Sequence, residues 1–146
     1  MNYQAPLSDM KFILENVVDY NNLSSTNHFE DTSLEITSAI LNEAAKLAEE
    51  VLSPLQRVGD LNPAVLENGV VRTSPGLSDG YKAVAEGGWI GVAANPKYGG
   101  MGLPLTIQTC VNEMMNGACL SLSLNPLMSQ GQIDALEHHA NDHIKS

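Results

Sequence analysis

Residues 32–52, TSLEITSAILNEAAKLAEEVL, decide the fold class. The opening Thr32-Ser33-Leu34-Glu35 has the form of a capping box, in which the threonine hydroxyl accepts a first-turn amide while Glu35 reaches back to the cap. Behind it Ile36, Ile40, Ala44, Leu47, Ala48, Val51 and Leu52 recur at the spacing of one helix face. Pro54 lacks the amide that a continuing helix needs, so the stretch predicts a long helix that ends or kinks near Ser53.

The same periodicity extends to both sides. Upstream, Leu7, Met10, Ile13, Leu14, Val17 and Val18 predict an amphipathic helix over residues 8–20, followed by a polar, turn-prone loop over residues 21–27. Downstream, Asp60 and Asn62-Pro63 interrupt the chain, and Asn68-Gly69 before Val70-Val71-Arg72-Thr73 suggests a tiny hairpin. Ser74-Pro75 opens a helix through Tyr81, Val84 and Ala85 that Gly87-Gly88 stops. After Trp89-Ile90-Gly91-Val92-Ala93 comes a glycine-rich loop over residues 95–104. Helical spacing resumes at Leu105, Ile107, Val111, Met114 and Met115, then over residues 118–124, and again from Pro126 through Ile133 and Leu136. With no internal repeat, the expectation is an all-α bundle with room for a tiny hairpin near Asn68-Gly69.

Composition narrows the function. The chain of 146 residues carries 7 basic against 17 acidic side chains, a net charge of -10. Nucleic acid and anionic membrane both demand clustered Lys and Arg, so neither is expected as a partner. Asp9 and Lys11 interrupt the first segment, which argues against a signal peptide, and no apolar run approaches the ~20 residues of a membrane span. Two cysteines, Cys110 and Cys119, are too few for a disulfide scaffold, which points to a reduced, cytoplasmic setting.

The motifs that carry chemistry are sparse. His139 and His143 are four apart, but the zinc-protease pattern needs a Glu beside the first His and a further ligand, so a polar His-rich turn is the favoured reading and no metal is expected. Gly99-Gly100-Met101-Gly102 follows no strand and precedes no Gly-Lys-Ser/Thr, so it reads as a tight turn rather than a phosphate loop. Cys110, Cys119 and Met114-Met115 read as core filling. Glu113, the one acid of an apolar helix, is expected to hydrogen-bond a loop. No catalytic constellation emerges from the residues alone.

Taken in order, Gly87-Gly88-Trp89-Ile90-Gly91, Tyr98-Gly99-Gly100-Met101-Gly102-Leu103-Pro104, Val111-Asn112-Glu113-Met114, Ser123-Leu124-Asn125-Pro126-Leu127, Gln130-Gly131 and Asp134-Ala135-Leu136-Glu137-His138-His139 resemble the N-terminal helical domain of acyl-CoA dehydrogenases. The opening Tyr3-Gln4-Ala5-Pro6-Leu7-Ser8-Asp9-Met10-Lys11-Phe12 is similar to the start of the larger members of that family, which include the 3-methylmercaptopropionyl-CoA enzymes. The resemblance covers essentially the whole chain. One departure is Ala140 after His139, where the family usually has glycine.

The resemblance implies one N-terminal helical domain over residues 1–146, with residues 1–31 as a helix-and-loop extension and 32–146 as the main bundle. It also implies that a flavin-binding β-domain and a C-terminal bundle lie outside this chain. The family reaction removes an α-proton and a β-hydride from an acyl-CoA thioester, with a carboxylate base and FAD as acceptors. Both belong to the missing parts, so no catalytic or cofactor-binding residue is expected here, and the chain alone is expected to be inactive and to bind no FAD. By position, Pro126, Leu127 and Gln130 would line the far end of the acyl pocket, acting by steric fit. The implied partners are acyl-CoA, an electron-transfer flavoprotein and a second copy of the enzyme. The competing expectation is a stand-alone helical interaction module. The closing Asn141-Asp142-His143-Ile144-Lys145-Ser146, which reads as a helix just starting, favours the fragment.

Overall fold

A computed structural model describes residues 3–30 and 32–145. Helices dominate: α1 (Leu7–Asn16), α2 (Tyr20–Ser24), α3 (Leu34–Lys46), α4 (Ser53–Leu61), α5 (Leu77–Glu86), α6 (Leu105–His139) and α7 (Asp142–Lys145). A π-helical turn, Leu47–Leu52, joins α3 to α4, and short 3-10 turns occupy Trp89–Gly91 and Pro96–Tyr98. The expected hairpin is present as antiparallel β1 (Val65–Glu67) and β2 (Val70–Arg72), with Leu66 opposite Val71. Asn68 and Gly69 both take left-handed φ, 51° and 78°, the geometry of a two-residue turn that follows the strand twist.

The core lies between the α3–π-turn rod and the first half of α6. Leu41, Ala44, Ala45, Ala48 and Leu52 face Ile107, Val111, Met114, Met115 and Ala118, all buried. Alanines let the two helix axes approach closely, and the flexible methionines fill what remains. Met10 and Leu14 of α1, Val84 of α5, and Val92 and Leu103 close the ends. The buried face of the α3–π-turn rod keeps Ala44, Ala48 and Leu52 of the expected stripe but is turned at its edges: Thr37 and Leu41 are inside, whereas Ile36 of α3 and Val51 of the π-turn are 48% and 37% exposed.

Several helix ends differ from expectation for local reasons. Ser33, not Thr32, caps α3: its Oγ accepts the Ile36 N–H at 3.4 Å, while the Thr32 hydroxyl donates to Phe29 O at 2.7 Å. Pro54 neither ends nor kinks the run into a break, because it sits in the first turn of α4. The π-turn shifts the ladder there, so that the Ser53 N–H reaches Ala48 O, five residues back. The first helix stops at Asn16, short of residue 20, because Asp19 takes a left-handed φ of 53° that a short polar side chain tolerates. That turn drops Tyr20 into the core at the head of α2, inside what the sequence suggested was helix end and loop. At the other end, Ser74-Pro75 forms a turn, and α5 starts two residues later at Leu77.

The expected separate helices over 105–115, 118–124 and 126–136 are one α6, broken at a single residue. Cys119 has φ -155° and ψ 85°, dividing α6 into segments 105–118 and 120–139. The break is held from both sides. The Ser123 hydroxyl donates to Asn116 Oδ1 at 2.6 Å, and the Tyr3 ring seats on Gly117, where an added Cβ would lie 2.7 Å from the ring. Pro126 lies inside the second segment without starting a new helix, and it is fully buried.

Candidate functional site

The segment from the end of α5 to the start of α6 lies against both halves of α6 and leaves a cleft of about 350 Å³ beside them. Ile90, Ala93 and Ala94 form one side. Leu105, Gln108 and Asn112 of the first α6 segment face Leu127, Gln130, Gly131 and Ile133 of the second, with Asp134 and Glu137 at the same wall. A neighbouring cavity of about 330 Å³ shares Ile90, Ala94, Ile133 and Glu137, and adds Tyr98, Gly99, Gly100 and Lys145.

Polar groups fix these walls. Asn112 and Gln130 bond reciprocally across the break in α6: Asn112 Nδ2 donates to Gln130 Oε1 at 2.8 Å, and Gln130 Nε2 donates to Asn112 Oδ1 at 3.1 Å. Gln108 Oε1 accepts the Ala93 N–H at 3.1 Å, tying α6 to the segment opposite. Glu137 Oε1 accepts the Asn95 N–H at 2.8 Å, and Lys145 Nζ donates to Glu137 O at 2.7 Å. On the rim, Lys97 lies over the Tyr98 ring, and its pKa is raised by the Tyr98 hydroxyl and by Asp142.

The glycine-rich loop earns its composition by close approach, since a Cβ on Gly100 would collide with the Ala94 carbonyl. Every amide from Gly99 to Leu103 is donated within the chain, to Pro96 O, Asn95 O, Gly91 O, Ala94 O and Val92 O in turn. The loop therefore has no free N–H for a phosphate, and these residues do not fit the pyrophosphate of a dinucleotide.

Of the residues singled out from the sequence, Leu127 and Gln130 lie together on the cleft wall, Leu127 exposed at 44% and Gln130 buried. Pro126 is buried in the same segment and is not part of the wall. Gln130 is a hydrogen-bonded strut as well as a wall. Gln108 and Asn112 escaped notice as cleft residues, although their i, i+4 spacing on an otherwise apolar helix face marks them. Glu113 is exposed and makes no hydrogen bond to a described residue; with burial as the larger cause, its charge raises the pKa of Tyr3 and Cys110. His138 turns back to its own helix, Nδ1 lying 2.8 Å from Asp134 O. No group of three potential metal ligands comes together among the described residues, nor is any of their helices long and apolar enough to cross a membrane.

The chain that builds this cleft belongs to the acyl-CoA dehydrogenases, because the family model for the acyl-CoA dehydrogenase N-terminal domain matches its residues 35–146. Among individual relatives, the chain is 32% identical to 3-methylmercaptopropionyl-CoA dehydrogenase of Ruegeria pomeroyi over 146 residues, 100% of this chain and 25% of that protein. It is 24% identical to butyryl-CoA dehydrogenase of Syntrophomonas wolfei over 148 residues, 99% of this chain and 24% of that protein. The chain thus spans about a quarter of the length of these relatives.

Proposed function

We propose that this chain is the N-terminal helical domain of a flavin-dependent acyl-CoA dehydrogenase, and that it contributes one wall of the acyl cleft rather than the reacting groups. On this reading residues 1–31 are an extension, residues 32–146 the main bundle, and the flavin-binding and base-bearing parts lie in further domains of the enzyme. Similarity along the entire chain to two dehydrogenases of CoA esters carries the reading.

The residues have matching tasks. Pro126 fixes the start of the wall segment, Leu127 offers apolar surface to the acyl chain, and Gln130 sets how deep the chain reaches. One methylene in such a pocket is worth only ~1–3 kcal/mol, so these residues tune chain preference modestly. FAD would supply the hydride acceptor of the complete enzyme and would be held by residues outside this chain, in keeping with a glycine-rich loop whose amides are all engaged. Alone, the chain binds no flavin and oxidises nothing. The complete enzyme is a cytoplasmic homo-oligomer in fatty-acid metabolism that passes electrons to an electron-transfer flavoprotein.

The exposed apolar face of the second α6 segment, with Leu120, Leu124 and Met128, is where the rest of the enzyme packs. Left bare, it makes the isolated chain self-associate. The test is spectroscopic: the full-length protein should be yellow and its flavin absorbance should bleach on adding an acyl-CoA. The isolated chain mixed with FAD should show neither. A full-length protein without flavin, or an isolated chain that reduces an acceptor dye with acyl-CoA, contradicts the proposal.

A further inference from the structure

Resting on the dehydrogenase reading, we propose that this cleft selects an acyl chain carrying a neutral oxygen acceptor near its far end, bound by the side-chain amides of Gln108, Asn112 and Gln130. A primary amide has two N–H donors and one carbonyl acceptor. In this cleft the carbonyls are the groups already engaged: Gln108 Oε1 by Ala93, and the Asn112 and Gln130 oxygens by each other. Gln108 Nε2 donates to no described residue, and Asn112 and Gln130 each spend a single N–H on the other. The wall is left with a surplus of donors that no described residue accepts, the Asp134 and Glu137 carboxylates of the same cleft included, and the rest of the lining, Ile90, Leu105, Leu127 and Ile133, is apolar.

That surplus discriminates between chains. A plain alkyl end displaces water from these N–H groups and leaves them unpaired, whereas an ether, hydroxyl or carbonyl oxygen in the same volume pairs them. A thioether sulfur is a weak acceptor and recovers little. A terminal carboxylate is excluded, because Asp134 and Glu137 line the same cleft and repel it. The donors are also held in place: the reciprocal Asn112–Gln130 pair locks both amide planes across the break in α6, so little ordering remains when the chain binds.

The full-length holoenzyme is to be assayed with hexanoyl-CoA and with isosteric chains in which one distal methylene is an ether oxygen or a thioether sulfur. The ether chain should be preferred over hexanoyl-CoA by about tenfold in kcat/KM, the worth of one or two net hydrogen bonds, with the thioether close to hexanoyl-CoA. Asn112→Leu/Gln130→Leu, which removes both partners together, should bring that ratio to one or below with flavin content unchanged. Gln108→Met, a second variant should the first fail to fold, should lower it about threefold. A merely structural pair would reduce all three chains alike. A wild-type ratio near one, a thioether preferred to the ether, or a ratio unmoved by the variants overturns this inference while leaving the dehydrogenase reading intact. A flavin-loaded protein that oxidises none of the three sinks both.

Discussion

The two segments of α6 share one helix and face opposite fates. Before Cys119, Ile107, Val111, Met114 and Met115 are all at most 1% exposed, and they form the heart of the bundle. After it, Leu120, Leu124 and Met128 are 53%, 51% and 69% exposed, and the buried positions include Ser123, Pro126 and Gln130. Apolar composition therefore says little about where a helix is buried. What separates the segments is partner geometry: small alanines of α3 and the π-turn face the first, whereas the cleft and bare surface face the second.

The contrast is sharpest under truncation. Met114→Ala opens a cavity in the closed half and should cost ~2–5 kcal/mol in chemical denaturation, while Met128→Ala in the open half should stay within ~0.5 kcal/mol. Equal effects would erase the distinction. Asn112 links the halves, and Asn112→Ala strands the buried Gln130 amide, so a loss of ~1–3 kcal/mol is expected, whereas Asn112→Leu/Gln130→Leu should lose less than the single change. The order of those two variants in a denaturant series checks whether the amide pair is a strut.

Smaller effects probe the ends of the bundle. Ser33→Ala removes the observed cap and should lower stability by ~1 kcal/mol, while Thr32→Ala should not remove that cap, because the Thr32 hydroxyl bonds Phe29 O. Tyr20 is buried, and its hydroxyl has no aligned hydrogen-bond partner among the described residues. Desolvation raises its pKa, and the Thr32 and Thr37 hydroxyls oppose that rise. A raised phenol pKa keeps the folded state neutral, so its contribution is intact below the ordinary value near ~10 and is lost as pH climbs past it. Tyr20→Phe should change the melting temperature little at neutral pH and flatten its alkaline decline. A variant that declines as steeply as the parent would place the titration elsewhere, with Tyr3 and Cys110, also raised, as the next groups to replace.

Much of this fold is legible in local sequence, and the failures have physical causes. Asn68-Gly69 announces its turn because both residues reach positive φ cheaply, and Met114-Met115 announce a core by spacing. Two adjacent hydroxyls, Thr32 and Ser33, left the cap ambiguous by one residue. That slip matches the rotation of the buried face from Ile36 and Ile40 to Thr37 and Leu41. A π-turn has no side-chain signature, so Pro54 looked like a stop although the widened ladder needs no amide from it. The cleft was visible as Leu127 and Gln130 only through the family pattern. Its polar half depends on Asn112 meeting Gln130 across a break that no periodicity encodes.

On the proposed function, the open half of α6 is the wall against which an acyl chain lies. The direct measurement is photolabelling of the full-length holoenzyme with an acyl-CoA bearing a diazirine at the far end of its chain, followed by peptide mapping. Label is expected on residues 127–131 or on Gln108 and Asn112, displaced by unlabelled acyl-CoA. Displaceable label confined to peptides outside this domain would contradict it.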